Sequence, residues 1–202
     1  MTSFRGQVLL LAALILASLL LAAYSLLARV QYPVIILRDL PVGQVITVVR
    51  SAVADSSELS YDALDRQLRI YVSALRRVAH IYGLDPRLQH LNYTLYLSRS
   101  TNYFNITVVT NLPLVVNLYY NCVEVGYGVT EFIEYRKFLI TYVHRYLVPS
   151  TQVIIFPILR DRLGVAHLEY LGNGTWILYI SLTYSNYTLS DEYGIKLEVL
   201  ST

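Results

Sequence analysis

The chain opens with a long apolar segment. Val8 to Ala28 carries no charged residue and is built mostly of Leu, Ala, Ile and Val. As a helix it would extend over about 31 Å, close to the thickness of the hydrocarbon core of a bilayer. Arg5 and Arg29 flank it, and Tyr32 follows where aromatic rings favour the membrane interface. The pattern predicts a retained transmembrane helix, because a cleaved secretory signal has a shorter apolar region.

Apolar residues then recur at helical spacing. Pro33 predicts an extended connector over Gln31 to Asp39, since the residue before a proline disfavours helix. A stripe of five aliphatic residues predicts a first helix, although the same run is compatible with a strand. Ser60 to Tyr82 predicts a second helix, capped at its end by Gly83. The residues of the stripe are Val42, Val45, Ile46, Val49 and Val53.

Beyond Asp85 the runs become short and rich in β-branched and aromatic residues, which predicts strands. One pair of runs flanks Gly172-Asn173-Gly174, a composition that tolerates the positive φ of a tight hairpin. Glu131 to Tyr146 fits either structure, and the spacing of its polar residues by three and four favours a helix. The predicted strands are Tyr93–Leu97, Phe104–Thr110, Leu114–Tyr120, Val165–Leu171, Thr175–Leu182 and Ile195–Leu200.

These elements together predict an α+β fold. A transmembrane helix is followed by an ectodomain of one to three helices and an antiparallel β-sheet or sandwich. The predicted segments are a short basic leader (1–6), an anchor helix (7–30), a connector with a helical region (31–86) and a β-rich ectodomain (87–202).

Composition narrows the class of protein. The chain is 55% hydrophobic and contains 19 tyrosines, which suits half-buried sheet surfaces. Its net charge is only +2 with no dense basic block, so a nucleic-acid partner is not indicated. Cys122 is the single cysteine, which excludes an intrachain disulfide and favours a small buried hydrophobe.

Four asparagines lie in N-x-Thr sequons, where roughly one match is expected by chance from the Ser and Thr content. Since the charges flanking the anchor barely discriminate its orientation, the sequons decide it. They predict a glycosylated ectodomain on the outer side of the cell membrane. The four are Asn92, Asn105, Asn173 and Asn186.

No arrangement of residues in the sequence indicates catalysis or a cofactor. The chain lacks a G-x-S-x-G elbow, a phosphate-binding glycine loop and an H-E-x-x-H metal motif. Its four histidines are far apart and are not spaced as metal ligands with a cysteine or carboxylate. We therefore expect no enzyme, no metal and no cofactor, and interpret the histidines as surface or satisfied residues.

The residues ahead of the anchor carry a resemblance. Arg5-Gly6-Gln7 followed directly by the apolar run resembles the class III signal peptide of archaeal type IV pilin-like proteins. In that family a prepilin peptidase cuts after the glycine, and the apolar helix is kept for packing in a filament. The resemblance implies cleavage between Gly6 and Gln7, with Arg5 as the basic residue before the site. It covers about the first 30 residues.

Two departures from that family refine the expectation. Leu11 occupies the fifth mature position, where bacterial pilins and the archaeal subgroup with an N-terminal Gln carry Glu. Pro33 also separates the anchor from the next helix, whereas the helix of major pilins often continues. Both favour a minor or pilin-like surface protein over a major pilin.

Two functions follow as hypotheses. The first is a pilin-like subunit that assembles in, or associates with, a surface filament or secretion apparatus. Its partners would be membrane lipid, a prepilin peptidase and homo- or hetero-oligomer neighbours packed along Val8–Ala28. The alternative is a membrane-anchored extracytoplasmic binding or adhesion domain that forms no filament.

Overall fold

Three helices precede the strands in the computed structural model, which describes residues 41–56, 58–129, 134–149, 151–161 and 163–200. They are α1 (Val42–Ala54), α2 (Tyr61–Ile81) and the short α3 (Pro86–Gln89). The two helices expected from the apolar spacing are thereby confirmed. The brief α3 begins at Pro86, where the side chain of Asp85 accepts the backbone N–H of Arg87 at 2.9 Å.

Local sequence explains where α2 begins and ends. The Ser60 side chain accepts the backbone N–H of Ala63 and so satisfies one of the free donors of the first turn. Gly83 follows the last turn with a φ of +61°, and Leu84 returns a backbone hydrogen bond to Ala79. One face of the helix is buried, and its residues are Leu64, Leu68, Val72, Leu75 and Ala79.

Ten strands form two antiparallel sheets in the described residues. The strands are β1 (Tyr93–Ser100), β2 (Tyr103–Thr110), β3 (Val115–Val129), β4 (Glu134–Val148), β5 (Thr151–Ile155), β6 (Leu159–Arg160), β7 (His167–Gly172), β8 (Thr175–Ser181), β9 (Asn186–Asp191) and β10 (Lys196–Leu200). The large sheet has seven strands in the order β1-β2-β3-β4-β8-β7, with β5 also paired to β4, and the small sheet has the order β10-β9-β6. The expected α+β class, the antiparallel sheet and the β7–β8 hairpin are confirmed.

The helix favoured for Glu131 to Tyr146 is wrong over its described part. Residues from Glu134 onward form β4, which pairs with β3 along one side and with β8 and then β5 along the other. A central strand is partly covered on both faces, so its polar residues do not follow the simple alternation of a surface strand. The spacing of these polar residues by three and four resembles that of a helix, but pairing with β3, β5 and β8 makes the segment a strand.

The core lies on one face of the large sheet, which we call the inner face. Alternate residues of β2, β3 and β4 are buried on it, including Phe104, Tyr120 and Tyr142. Several of these tyrosines form hydrogen bonds with elements that pack on this face. The Tyr120 hydroxyl, for example, donates to the Glu198 carbonyl of β10 at 2.7 Å. The helix α1 and the small sheet therefore cover the inner face, and all belong to one compact unit, Val42–Thr202.

The β7–β8 turn approaches β4 closely at Gly174. This glycine has a φ of +74°, and a Cβ there would lie 2.5 Å from the Tyr142 carbonyl oxygen and 2.8 Å from the Phe156 ring. Gly172, with a φ of +104°, has open space around the corresponding position.

We expect Gly174→Ala to lower the free energy of unfolding by about 2 kcal/mol more than Gly172→Ala, since both strain the backbone and only the first adds overlap with backbone atoms. Denaturant unfolding of the full chain in detergent micelles, followed by the fluorescence of Trp176, measures the difference. Equal losses in the two variants would contradict the close approach of the turn to β4.

The predicted anchor, Val8–Ala28, lies outside the described residues. Of the helices in the described ranges, none has both the length and the apolar character that a membrane crossing requires.

Candidate functional site

A line of polar side chains runs through the interior of the unit. Tyr142, His144 and Tyr146 alternate along β4 and so share its inner face. Arg50 of α1 lies at one end of the line, and Asp191, the last residue of β9, lies at the other. We call these five residues the buried polar chain.

Each neighbouring pair in the chain is hydrogen-bonded. Arg50 Nε lies 2.8 Å from the Tyr146 hydroxyl oxygen, to which Nη2 of the same guanidinium also donates. The Tyr146 hydroxyl is 3.2 Å from His144 Nδ1, and His144 Nε2 is 2.8 Å from the Tyr142 hydroxyl oxygen. The Tyr142 hydroxyl donates to Asp191 Oδ2 at 2.9 Å. The chain is thus continuous from a guanidinium to a carboxylate.

The direction of every proton in the chain follows from its two ends. An ionised Asp191 accepts only, so the Tyr142 hydroxyl proton is directed to it and the Tyr142 oxygen accepts from His144 Nε2–H. The neutral imidazole then offers Nδ1 as an acceptor to the Tyr146 hydroxyl. The Tyr146 oxygen is left to accept from Arg50, which donates only. All donors point the same way, which lets the bonds polarise one another.

The Asp191 end is also fastened by the backbone. Asp191 Oδ1 accepts the backbone N–H of Tyr193 at 2.9 Å and that of Ile195 at 2.8 Å. The ring of Tyr193 lies against the guanidinium of Arg50, with 3.7 Å between Arg50 Cζ and the ring centroid, a cation–π contact. Arg50 therefore contacts both β4 and the connection between β9 and β10.

Burial controls the protonation states. The side chains of His144 and Asp191 are both 0% exposed. Burial, aided by the positive charge of Arg50, lowers the pKa of His144 to about 3, so its ring is neutral at pH 7. Burial raises the pKa of Tyr146 to about 12. It also raises the pKa of Asp191, an effect that the hydrogen bonds from Ile195 and Tyr142 oppose.

The buried polar chain acts as a brace between α1, the central strand and the small sheet. The opposite charges of Arg50 and Asp191, joined by a continuous line of hydrogen bonds, hold these elements in one arrangement. The loss of either charge would leave the other without a counter-charge in the interior. Because His144 and Asp191 are fully buried, a dissolved substrate has no contact with them in this structure.

An open cleft of about 350 Å³ lies elsewhere, between the β1–β2 turn, the end of α1 and β10. We call it the β10 cleft. Arg99 and Glu198 form an ion pair at 3.6 Å in its lining, and Lys196 adds a second cation. One wall is fixed by Asn102, whose side-chain amide both donates to and accepts from the backbone of Leu200, at 2.6 Å each. Its mixture of charged groups, hydroxyls and aromatic rings suits a small polar ligand.

The four sequon asparagines differ in exposure. Asn92, Asn173 and Asn186 are exposed, and Asn173 lies at the tip of the β7–β8 turn with a φ of +52°. Asn105 is half-buried in the middle of β2, where its Oδ1 accepts from Asn117 Nδ2 at 2.5 Å. The structure thus leaves Asn173 and Asn186 open to a bulky glycan, engages Asn92 through a hydrogen bond from Arg76 Nη2 to its Oδ1 at 2.6 Å, and crowds Asn105.

The residues predicted for processing, Arg5, Gly6 and Gln7, lie outside the described residues. Cys122 is buried at 5% exposure, in keeping with a small hydrophobe, and burial raises the pKa of its thiol to about 12. Within the described ranges, no group of three His, Cys, Asp or Glu side chains is arranged to hold a metal ion.

The sequence reasoning missed the buried polar chain. The helix predicted over Glu131 to Tyr146 would place His144 on its polar face, and Arg50 and Asp191 each stand alone among apolar or mixed neighbours in the sequence. The one available signal was the alternation Tyr142-x-His144-x-Tyr146, which has the period of a strand.

Comparison of the chain with protein-family models, with curated proteins and with solved structures gives no match.

Proposed function

We propose that the chain is a pilin-like membrane-anchored surface protein that assembles in, or associates with, a cell-surface filament or secretion apparatus. In this proposal a prepilin peptidase removes residues 1–6, and Val8–Ala28 remains as the helix that both crosses the membrane and packs against neighbouring subunits. The unit Val42–Thr202 is displayed outside the cell and carries glycans.

The observation that carries the proposal is the order of the first residues. Arg5-Gly6-Gln7 stands directly before a charge-free run long enough to span a bilayer, so a cut after Gly6 would leave the helix intact. The open sequons at Asn173 and Asn186 support display outside the cell, since a glycan needs open space around its asparagine. The buried polar chain braces this unit from within, which suits a domain that is displayed at the end of a membrane anchor.

Mass spectrometry of the protein purified from its native membrane tests both parts of the proposal. We expect the mature chain to begin at Gln7, and Gly6→Ile to block this cleavage because the family's cut follows a glycine. We also expect glycans at Asn173 and Asn186 and the lowest occupancy at Asn105. An intact Met1 or Thr2 end would refute processing, and a mass equal to that of the bare chain would refute glycosylation.

The β10 cleft favours a second candidate, an anchored binding domain that forms no filament. A site lined by Arg99, Lys196 and Glu198 suits recognition of a small polar ligand. Centrifugation of sheared surface material separates the two functions. Protein that sediments with filaments supports the pilin-like role, and protein that stays with the membrane supports the binding domain.

A further inference from the structure

The last turn of α2 exposes large apolar side chains. Val78 is 42% exposed, Ile81 64% and Tyr82, the residue after the helix, 74%. Val78 and Ile81 lie three residues apart beside the buried face, and Tyr82 follows the last turn in line with the buried Leu75 and Ala79, where that face ends. We call Val78, Ile81 and Tyr82 the terminal patch. Exposed apolar side chains that adjoin one another are candidates for a surface that contacts another phase or molecule.

The terminal patch lies at the end of the unit where the chain enters it. Helices α1 and α2 pack together and are joined by the short connection 55–60. The Tyr71 hydroxyl donates to the Asp55 carboxylate, which sets these two residues level. Ile81 lies ten residues beyond Tyr71 on α2, and Val45 lies ten residues before Asp55, at the other end of α1. Each is therefore about 15 Å along its helix from the contact between Tyr71 and Asp55. The patch is therefore beside the first turn of α1, which begins at Val42.

The charge around the patch is positive. Residues 76–92 contain three arginines and one aspartate, so their net charge is +2 with neutral histidines. Arg77, His80 and His90 are exposed, and the single acid, Asp85, is already paired with Arg87 at 2.5 Å. In contrast, Asp62 and Asp65 balance Arg66 and Arg69 in the first half of α2. Positive charge is thus concentrated at the end that carries the patch.

We propose that the terminal patch docks this end of the unit on the anionic headgroups of a lipid bilayer. The inference rests on the anchoring part of the proposed function. Only residues 29–41 separate the predicted membrane span from α1, and fully extended they reach at most about 45 Å. A tyrosine beside aliphatic and basic side chains has the composition of an interfacial contact, with the ring at headgroup level and arginine at the phosphates.

Fluorescence depth measurements on the full chain in nanodiscs test the docking. Tyr82→Cys, in a Cys122→Ala background, is labelled with the environment-sensitive dye NBD. The nanodiscs contain phosphatidylcholine alone or mixed with phosphatidylglycerol, together with a spin-labelled lipid. We expect emission from position 82 to shift to shorter wavelength and to be quenched, more strongly with phosphatidylglycerol.

Tyr127→Cys is the matched control, because Tyr127 is 70% exposed and lies about 40 Å along β3 from Val115, in the direction away from the patch. We expect no quenching at position 127. The charge variant Arg77→Glu should reduce the quenching at position 82. Arg66→Glu should not, because Arg66 is an exposed arginine about 16 Å from Arg77 along the same helix.

Several results would overturn the docking. One is equal emission from positions 82 and 127, and another is a signal at position 82 that ignores phosphatidylglycerol and Arg77→Glu. A blue shift that persists in detergent micelles and grows with protein concentration would assign the patch to a second copy instead. Carbonate washing of vesicles holding the full chain reports the anchor separately. A chain that resists washing but leaves position 82 unquenched contradicts the docking and leaves the anchor standing.

Discussion

Asp191→Asn is expected to destabilise the folded unit by about 3 kcal/mol, although it changes one atom of a side chain that is not exposed. The amide keeps an acceptor for the backbone N–H groups of Tyr193 and Ile195 but presents a donor to Tyr142. The Tyr142 proton then has no acceptor, because the next atom along, His144 Nε2, already donates. The guanidinium of Arg50 also loses the charge that balances it.

Urea unfolding of the full chain in detergent micelles, followed by Trp176 fluorescence, measures this loss. Glu192→Gln is the matched control, since Glu192 is the exposed neighbour of Asp191 and undergoes the same chemical change. We expect the control to change the free energy of unfolding by less than about 0.5 kcal/mol. If both variants unfold at similar urea concentrations, the buried polar chain does not brace the unit.

His144 is expected to make the unit sensitive to acid. Its pKa is about 3 in the folded protein and near the ordinary value of about 6.5 when unfolded. The unfolded chain therefore binds the proton more readily, and stability falls as the pH drops from 6.5 towards 3. Between pH 7 and pH 4 this residue accounts for a loss of about 3 kcal/mol. The raised pKa of Asp191 has the opposite sign and offsets part of the loss.

The variant His144→Gln isolates this effect, because glutamine retains a donor and an acceptor but does not titrate. We expect the difference in unfolding free energy between pH 7 and pH 4 to shrink by about 3 kcal/mol relative to the unaltered chain. His167→Gln, an exposed histidine on β7, should leave that difference unchanged. An undiminished difference in His144→Gln would assign the acid sensitivity to other groups.

Local signals in the sequence were sufficient for the elements that are stabilised locally. The helix α2 has its own cap at Ser60, a continuous apolar face and a terminating Gly83, so its limits could be read to within a residue. The β7–β8 hairpin was predictable for the same reason, since Gly172 and Gly174 do adopt positive φ. In both cases residues close in sequence decide the structure.

The strand β4 and the buried polar chain could not be predicted in the same way. The hydrogen bond between Arg50 and Tyr146 joins residues 96 positions apart, and that between Tyr142 and Asp191 joins residues 49 positions apart. His144 bonds to Tyr142 and Tyr146, each two residues away, but the groups that complete the line, Arg50 and Asp191, lie too far along the chain to be recognised in the sequence. The β10 cleft likewise depends on Asn102 meeting Leu200, 98 positions away.

The contact of Arg50 with β4 has a mechanical consequence. Any pull on the chain ahead of Val42 is transmitted to α1, and Arg50 passes the tension to Tyr146 on the central strand. From there the ladders with β3, β5 and β8 share the load, because β4 is hydrogen-bonded on both sides. A pull on the chain ahead of Val42 would thus be resisted by the widest sheet of the unit and not by α1 alone.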